Sequence, residues 1–201
     1  MEDDSWMALD KEIKRFVEVS LNRTDQIKSM VSDMLDVSKM KNGQLTPEKE
    51  DLDVGKLAGE VCGNLAARWD HFEIDIGSGD NTAHCDGKLI GRVIENLLDN
   101  AIKYSPKGKA ISVTVQEEED AGVVRVEVKD SGPGIPEEFK TRVFDEFVQV
   151  EGDEVANKVP SSGLGLAFCK LAVDAHGGQV GVESALGEGS AFWFELPWEN
   201  D

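Results

Sequence analysis

Two asparagines one helical turn apart, Asn96 and Asn100, open the chemistry of this 201-residue chain. They lie between Leu89 and Pro106, where Ile90, Val93, Ile94, Leu97, Leu98 and Ala101 recur at three- and four-residue steps and predict an amphipathic helix. Arg92, Glu95, Asp99 and Lys103 fall on its polar face. At about 100° per residue the two asparagines sit at the seam between the faces, about 40° apart. Asn is a mediocre helix former, so a pair at a half-buried seam points to something bound there; two ordinary surface residues would look the same. Downstream, Asp130-Ser131-Gly132-Pro133-Gly134 follows a predicted strand. Gly132 and Gly134 let the backbone take positive φ and approach a ligand closely. The Asp130 carboxylate at the strand end can accept a hydrogen bond from an exocyclic amine. The same residues also suit a plain turn. Ser161-Ser162-Gly163-Leu164-Gly165-Leu166 frees backbone N–H groups where a helix restarts, a setting that favours phosphate, although a ligand-free helix start has a similar composition. It is neither GxGxxG after a strand nor GxxxxGK[ST], which disfavours a Rossmann site and a P-loop.

Positioning these groups requires a scaffold, and the hydrophobic periods outline one. Residues 6 to 41 read as a long helix whose Ile13, Phe16, Ile27, Met30, Met34 and Val37 approach a heptad spacing, flanked by Val17, Val31 and Leu35. Asn42-Gly43 stops it. Such a stripe must pack on the rest of the chain or pair with another helix, and pairing is the favoured expectation. A connector over 44 to 53 leads to a helix over 53 to 69, capped by Asp53 and buried through Leu57, Val61, Leu65 and Trp69. Strands are expected at 71 to 76, 82 to 85, 109 to 116 and 123 to 128, with Asp86 capping the asparagine helix. A short helix over 137 to 143, an aperiodic loop over 144 to 162, a helix from Gly163 to His176 and a closing strand pair at 179 to 183 and 190 to 196 complete the order. Helices interleaved with strand pairs predict an α/β two-layer sandwich, a mixed sheet with helices on one face, rather than a doubly wound fold.

A formal net charge of −19 argues against nucleic acid and anionic membrane surfaces as partners. No apolar run approaches 18 residues, and the acidic Met-Glu-Asp-Asp start is unlike a signal peptide. Cys62, Cys85 and Cys169 form no CxxC pair, which predicts reduced, buried thiols in a cytoplasmic protein.

Taken together, the asparagine helix, Asp-x-Gly-x-Gly, Phe144-Asp-Glu-Phe147, Gly-Leu-Gly-Leu and Gly187-Glu-Gly-Ser-Ala-Phe192 occur in an order that resembles the catalytic ATP-binding domain of sensor histidine kinases, in the superfamily shared with gyrase and MutL. The resemblance covers residues 46 to 197, including the Ala175-His176-Gly177-Gly178 turn and the ending Phe192-Trp-Phe-Glu-Leu-Pro197. It implies the Bergerat-type ATPase fold, with residues 46 to 201 as catalytic domain and 1 to 45 as part of a dimerisation hairpin. It also implies roles. Asn100 gives its side-chain oxygen to Mg²⁺, and Asn96 lines the phosphate region. Lys103 neutralises phosphate charge, and Tyr104 packs near the nucleoside. Asp130 accepts the adenine amino group in a pocket shaped by Gly132 and Gly134. Residues 144 to 162 form an ATP lid anchored by Phe144 and Phe147, with Lys158 as a further phosphate cation. The Gly163-Leu164-Gly165-Leu166 turn presents backbone donors. His176 is expected to be structural.

Two departures qualify the resemblance. Ser161 stands where the family often has Gly, which bears on lid flexibility. More seriously, the helix ending Met34-Leu-Asp-Val-Ser-Lys39 is similar to the second helix of the phosphoacceptor hairpin, yet no His-Glu pair occurs: His71, His84 and His176 precede Phe72, Cys85 and Gly177. The expected function is therefore a protein-histidine kinase catalytic fragment that positions Mg-ATP for attack by an imidazole on another helix, without autophosphorylation of this chain. The expected partners are that acceptor helix, a response regulator receiver domain and a second copy through the N-terminal helix. A nucleotide-binding module without catalysis and an anti-sigma-type serine kinase are the competing readings; the long helix and the His-Gly-Gly turn disfavour the latter.

Overall fold

The computed structural model describes residues 3–66, 69, 71–149 and 163–198. A 39-residue helix, α1 (Asp3–Lys41), leads into a short strand, β1 (Glu50–Asp53), and a helix, α2 (Val54–Leu65). Strands β2 (Phe72–Ile76) and β3 (Thr82–Cys85) precede the asparagine helix, α3 (Gly87–Tyr104). Then come β4 (Ile111–Glu118), β5 (Val123–Asp130), the one-turn α4 (Glu137–Lys140), α5 (Gly165–Ala175), β6 (Gln179–Ala185) and β7 (Gly189–Pro197).

Five strands form a mixed sheet in the order β2-β4-β5-β7-β6, with β2 parallel to β4 and every other pairing antiparallel. Period-two alternation decides its faces. Ile111, Val113 and Val115, Val124, Val126 and Val128, and Phe192, Phe194 and Leu196 all point into the core under the helices. The opposite face is polar: Arg125 lies 4.1 Å over the Trp193 ring and donates to Glu195 at 2.7 Å. The expected α/β two-layer sandwich is the observed one.

α3 is the central helix of the other layer. Asp86 caps it, its carboxylate accepting from Lys88 N–H at 3.0 Å and Leu89 N–H at 3.2 Å. Ile90, Val93, Ile94 and Leu98 are fully buried, each contributing roughly 1.5–3 kcal/mol relative to exposure. α2 begins at the expected cap, Asp53, which accepts from Lys56 N–H at 2.9 Å.

Three expectations change. The connector over 44 to 53 contains β1, which pairs antiparallel with β3 in a two-stranded ribbon beside the main sheet. α2 stops at Leu65, and Trp69 is buried from beyond the helix end rather than on its stripe. The long helix both packs and projects. Val37 is buried in the common core, whereas Ile13, Phe16, Val17, Leu21, Ile27, Val31, Met34 and Leu35 are exposed.

The packed end of α1 is held by charge. Arg92 on α3 donates to Asp33 and Asp36 of α1 and lies 4.2 Å over the Phe168 ring of α5, while Lys41 pairs with Glu146. These carboxylates hold the Arg92 guanidinium above its ordinary pKa against the opposing effect of its own burial. Arg92→Ala leaves two largely buried carboxylates without their cation and uncovers an aromatic face. Urea unfolding of the variant is expected to show a loss of about 1–2 kcal/mol, reduced from the fully buried case by partial solvent screening. No measurable change would mean that the clamp adds nothing to docking.

All three cysteines are unpaired and buried, and burial pushes Cys62 and Cys85 up to about 11 and Cys169 up to about 12. Among the described residues no helix is long and apolar enough to cross a membrane.

Candidate functional site

α3 and α5 lie side by side in opposite directions and form the walls of the site. Gly165, the first residue of α5, sits against Asn96: a methyl group added there would lie 3.3 Å from Asn96 Oδ1. The N-cap of α5 is Leu164, buried, and its apolar side chain makes no capping hydrogen bond. The N-terminus of this helix carries partial positive charge, a setting that favours an anion. Asn96 Nδ2 is buried with no strong hydrogen-bond partner, the weakly accepting Cys169 thiol being the group beside it, and this leaves it suited to a better acceptor. Asn100, one turn on, is half-buried on the same helix. A polar cavity of about 360 Å³ lined by Ser32, Asp33, Arg92, Glu95, Asn96 and Asp99 separates α1 from this part of α3.

At the end of α3, Lys103 Nζ lies 3.0 Å from Tyr104 Oη and 4.6 Å from the Tyr104 ring centroid. The backbone of Tyr104 packs on the turn after β5, where a methyl group on Gly132 would meet Tyr104 O at 3.1 Å and Asp130 Oδ1 at 2.7 Å. Asp130 is buried, and its Oδ1 accepts from Gly132 N–H at 2.6 Å. Burial pushes its carboxyl above the usual range; N–H donors from Gly132 and Ser190 pull it back. Gly134 takes φ +77, and a side chain there would collide with the Ala185 carbonyl. The β6–β7 hairpin is therefore part of this corner. Ser184 Oγ accepts from Ile135 N–H at 2.9 Å and donates to Gly189 O at 2.7 Å, and Gly187 N–H donates to Pro133 O at 2.7 Å.

The segment after β5 returns to α5 through a pinch. Phe147 N–H donates to Gly163 O at 2.9 Å, and Gly163 (φ +67) has no room for a side chain against the Phe147 backbone. Phe144 is buried edge-on to Phe192, with ring centroids 6.2 Å apart. Phe147 does not anchor beside it: it is 62% exposed with φ +62. Leu166 packs partly buried on the core. Lys158, Ser161 and Ser162, with residues 150 to 162 of the lid expected over 144 to 162, lie outside the described residues.

The arrangement is a buried amide against a helix N-terminus partway along α3, and a buried carboxylate packed by a glycine turn at the end of α3. It accompanies a family match: residues 85–200, more than half the chain, match the histidine kinase-, DNA gyrase B-, and HSP90-like ATPases. The chain belongs to that family. Within the ATPase family its relatives are sensor kinases. It is 35% identical over 195 residues to the adaptive-response sensory kinase SasA of Synechococcus sp. (strain JA-3-3Ab), an alignment covering 94% of this chain and 51% of that protein. It superposes on full-length ShkA in complex with AMPPNP with a TM-score of 0.76 at 28% identity, over 88% of this chain and 37% of ShkA. It superposes on the histidine kinase ThkA in complex with the response regulator protein TrrA with a TM-score of 0.72 at 25% identity, over 93% of this chain and 52% of ThkA. The chain thus spans about half the length, or less, of these relatives, and carries the histidine-kinase catalytic domain.

Of the expected site residues, the fold brings Asn96 and Gly165 together where α3 meets α5, and Tyr104, Asp130 and Gly132 together at the end of α3, with Gly134 against the β6–β7 hairpin. Sequence reasoning missed Ser184, whose hydroxyl stitches the hairpin to the 130–135 turn, and the Ser190 N–H that supports Asp130. Their only trace was the glycine-rich Gly187-Glu-Gly hairpin. Arg92 was read as a surface cation, because its partners lie 56 and 59 residues away.

Proposed function

We propose that the chain is the ATP-binding catalytic region of a two-component sensor histidine kinase, and that it holds Mg-ATP for γ-phosphoryl transfer to a histidine on another helix. The observation that carries this reading is the buried Asn96 amide set against Gly165 at the start of α5. An amide N–H and a helix N-terminus together favour an anionic ligand, in a chain of net charge −19. Asp130 accepts the adenine amine through its carboxylate, whose Oδ1 also takes the Gly132 N–H, and Tyr104 flanks the nucleoside. Lys103 adds positive charge on the phosphate side.

The donor set fits Mg²⁺. This ion keeps waters and substrate phosphates and asks the protein for one or two oxygens, and Asn100 offers one. Among the described residues no cluster of three acidic, His or Cys side chains competes for it. Bound Mg-ATP supplies a phosphoryl group whose charge is spread over metal and donors, so catalysis rests on positioning and charge neutralisation. Asn96 and Lys103 hold the phosphate chain while the acceptor imidazole approaches.

None of the three histidines is followed by an acidic residue, and His176 has both ring nitrogens engaged inside the fold; we assign the acceptor to a separate helix. The exposed apolar stripe of α1 is suited to pairing with the other helix of a hairpin and with a second copy. A response regulator receiver domain then takes the phosphoryl group, a partner supported by the solved complex of ThkA. The unpaired thiols suit the cytoplasm. Calorimetry with Mg-AMPPNP tests the reading: one saturable site that weakens when Mg²⁺ is chelated is expected, and no binding would overturn it.

A further inference from the structure

We propose that His176 is a positioning residue for the nucleotide site: its neutral imidazole is a strut that sets the two walls, α3 and α5, against each other. This rests on the nucleotide-site reading above. The ring is completely buried. Nε2 accepts from Asp86 N–H at 2.9 Å, and Nδ1 lies 2.7 Å from the Ala172 carbonyl. A backbone N–H can only donate and a carbonyl can only accept, so the proton must sit on Nδ1. Protonating Nε2 would set two donors face to face in a dry interior.

The partner of this bond is the cap of α3. Asp86 is held by its backbone to His176, while its carboxylate accepts from Lys88 and Leu89 N–H at the start of α3 and from Glu48 N–H at 2.9 Å. Contacts continue along the two helices as Arg92 over Phe168 and as Cys169 Sγ, which donates to Val93 O at 3.7 Å. The series ends where Gly165 meets Asn96. His176 closes one end of this antiparallel pair, and the phosphate-side groups sit at the other, about 15 Å away at 1.5 Å per residue. A loosened strut lets α3 shift against α5 and spoils the match between the Asn96 amide and the α5 N-terminus.

The charged groups facing the ring are Lys49 from the segment before β1 and His84 from β3, which oppose an imidazolium, and Asp86 at the cap of α3, which favours one; burial is the largest effect and pushes the pKa down. The sign follows. A histidine depressed in the folded state keeps its full stabilising contribution above the unfolded pKa of about 6.5 and loses it as pH falls below that value.

Nitrogen-15 NMR of histidine in the full chain tests the proposal. The expected spectrum has His176 as the Nδ1–H tautomer, titrating below the ordinary histidine value of about 6.5. Saturating Mg-AMPPNP should lower its midpoint by about half a unit or more, since whatever proton loss does for binding, binding must do for proton loss. Adding an anion without such coupling would raise the midpoint, and a purely structural ring would not respond. A midpoint that rises or stays fixed overturns the proposal, as does the Nε2–H tautomer. Reading the imidazole directly keeps the titration of the nucleotide phosphates out of the result. His176→Gln, which can still offer an oxygen to Asp86 N–H, should retain affinity within about threefold and lose the acid-side weakening; an unchanged pH profile in that variant contradicts the proposal. If the variant does not fold, the wild-type titration decides alone. If the chain binds no nucleotide at any pH, the nucleotide-site reading fails; if it binds without moving His176, only the strut fails.

Discussion

Asn100→Ala removes Mg²⁺-dependent ATP binding and leaves the fold intact. The expected loss is about 100-fold or more in affinity with Mg²⁺ present, because even outer partners of a metal site commonly cost 10–100-fold when removed. Without Mg²⁺ the residual affinities of variant and wild type should converge, which separates a metal role from general damage. The fold is expected to survive because Asn100 is half-buried and lies outside the apolar face of α3. Ala is also the better helix former, by about 0.5–0.7 kcal/mol. Circular dichroism should therefore show an unchanged or slightly raised Tm. Equal Mg-ATP affinity in variant and wild type would remove Asn100 from the metal.

Asp130→Asn should exchange adenine preference for hypoxanthine preference. The buried Asp130 carboxylate already accepts from Gly132 N–H, and the Ser190 N–H supports it further. An amide placed here must keep its oxygen toward the Gly132 N–H, since turning its NH2 group to it would set donor against donor. Its NH2 then faces the ligand, where it repels the adenine amine and suits a 6-oxo group. The expected outcome is a loss of about 10–100-fold for ATP, the range of a hydrogen bond to a charged acceptor, with inosine triphosphate weakened much less. Competition with a fluorescent ATP analogue measures both. Parallel losses for the two nucleotides would show that Asp130 only holds the turn.

The parts of the fold with strong local signals were legible. α3 combines an unbroken apolar stripe with an Asp cap, and both survive in the structure at the expected residues. The same holds for the Asp53 cap and for the alternating strands at Ile111, Val124 and Phe192. β1 was not legible because Glu50-Asp-Leu-Asp offers one apolar side chain in four, and its pairing with β3 crosses about thirty residues of chain. Trp69 fitted the stripe of α2 by period alone, and the helix stopped before reaching it. In the site, the order of glycine turns was readable, since backbone freedom leaves its mark on residue type. Which donors hold Asp130, and which cap His176 grips, were not, because both bonds use backbone N–H groups that every residue carries. The clamp of Arg92 on α1 escaped for a related reason: a charged residue on a polar helix face looks solvated until its partners arrive from elsewhere.

Phe147 shows a further limit. The family resemblance implies that Phe147 anchors the lid together with Phe144, yet only Phe144 finds a ring partner, in Phe192. The positive φ of Phe147 turns its side chain outward while its N–H ties to Gly163. The backbone pinch, rather than the second ring, joins the two ends of the loop at the site.

The most direct test of the account is phosphoryl transfer between separate chains. The protein is incubated with Mg²⁺ and γ-labelled ATP, alone and with an added phosphoacceptor hairpin from a sensor histidine kinase, and the products are sorted by acid stability. The account predicts acid-labile label on the hairpin, none on this chain, and loss of that label with Asn100→Ala. Acid-labile label on this chain itself would contradict the separate acceptor, and an unlabelled hairpin beside a chain that binds Mg-ATP would contradict catalysis by this domain.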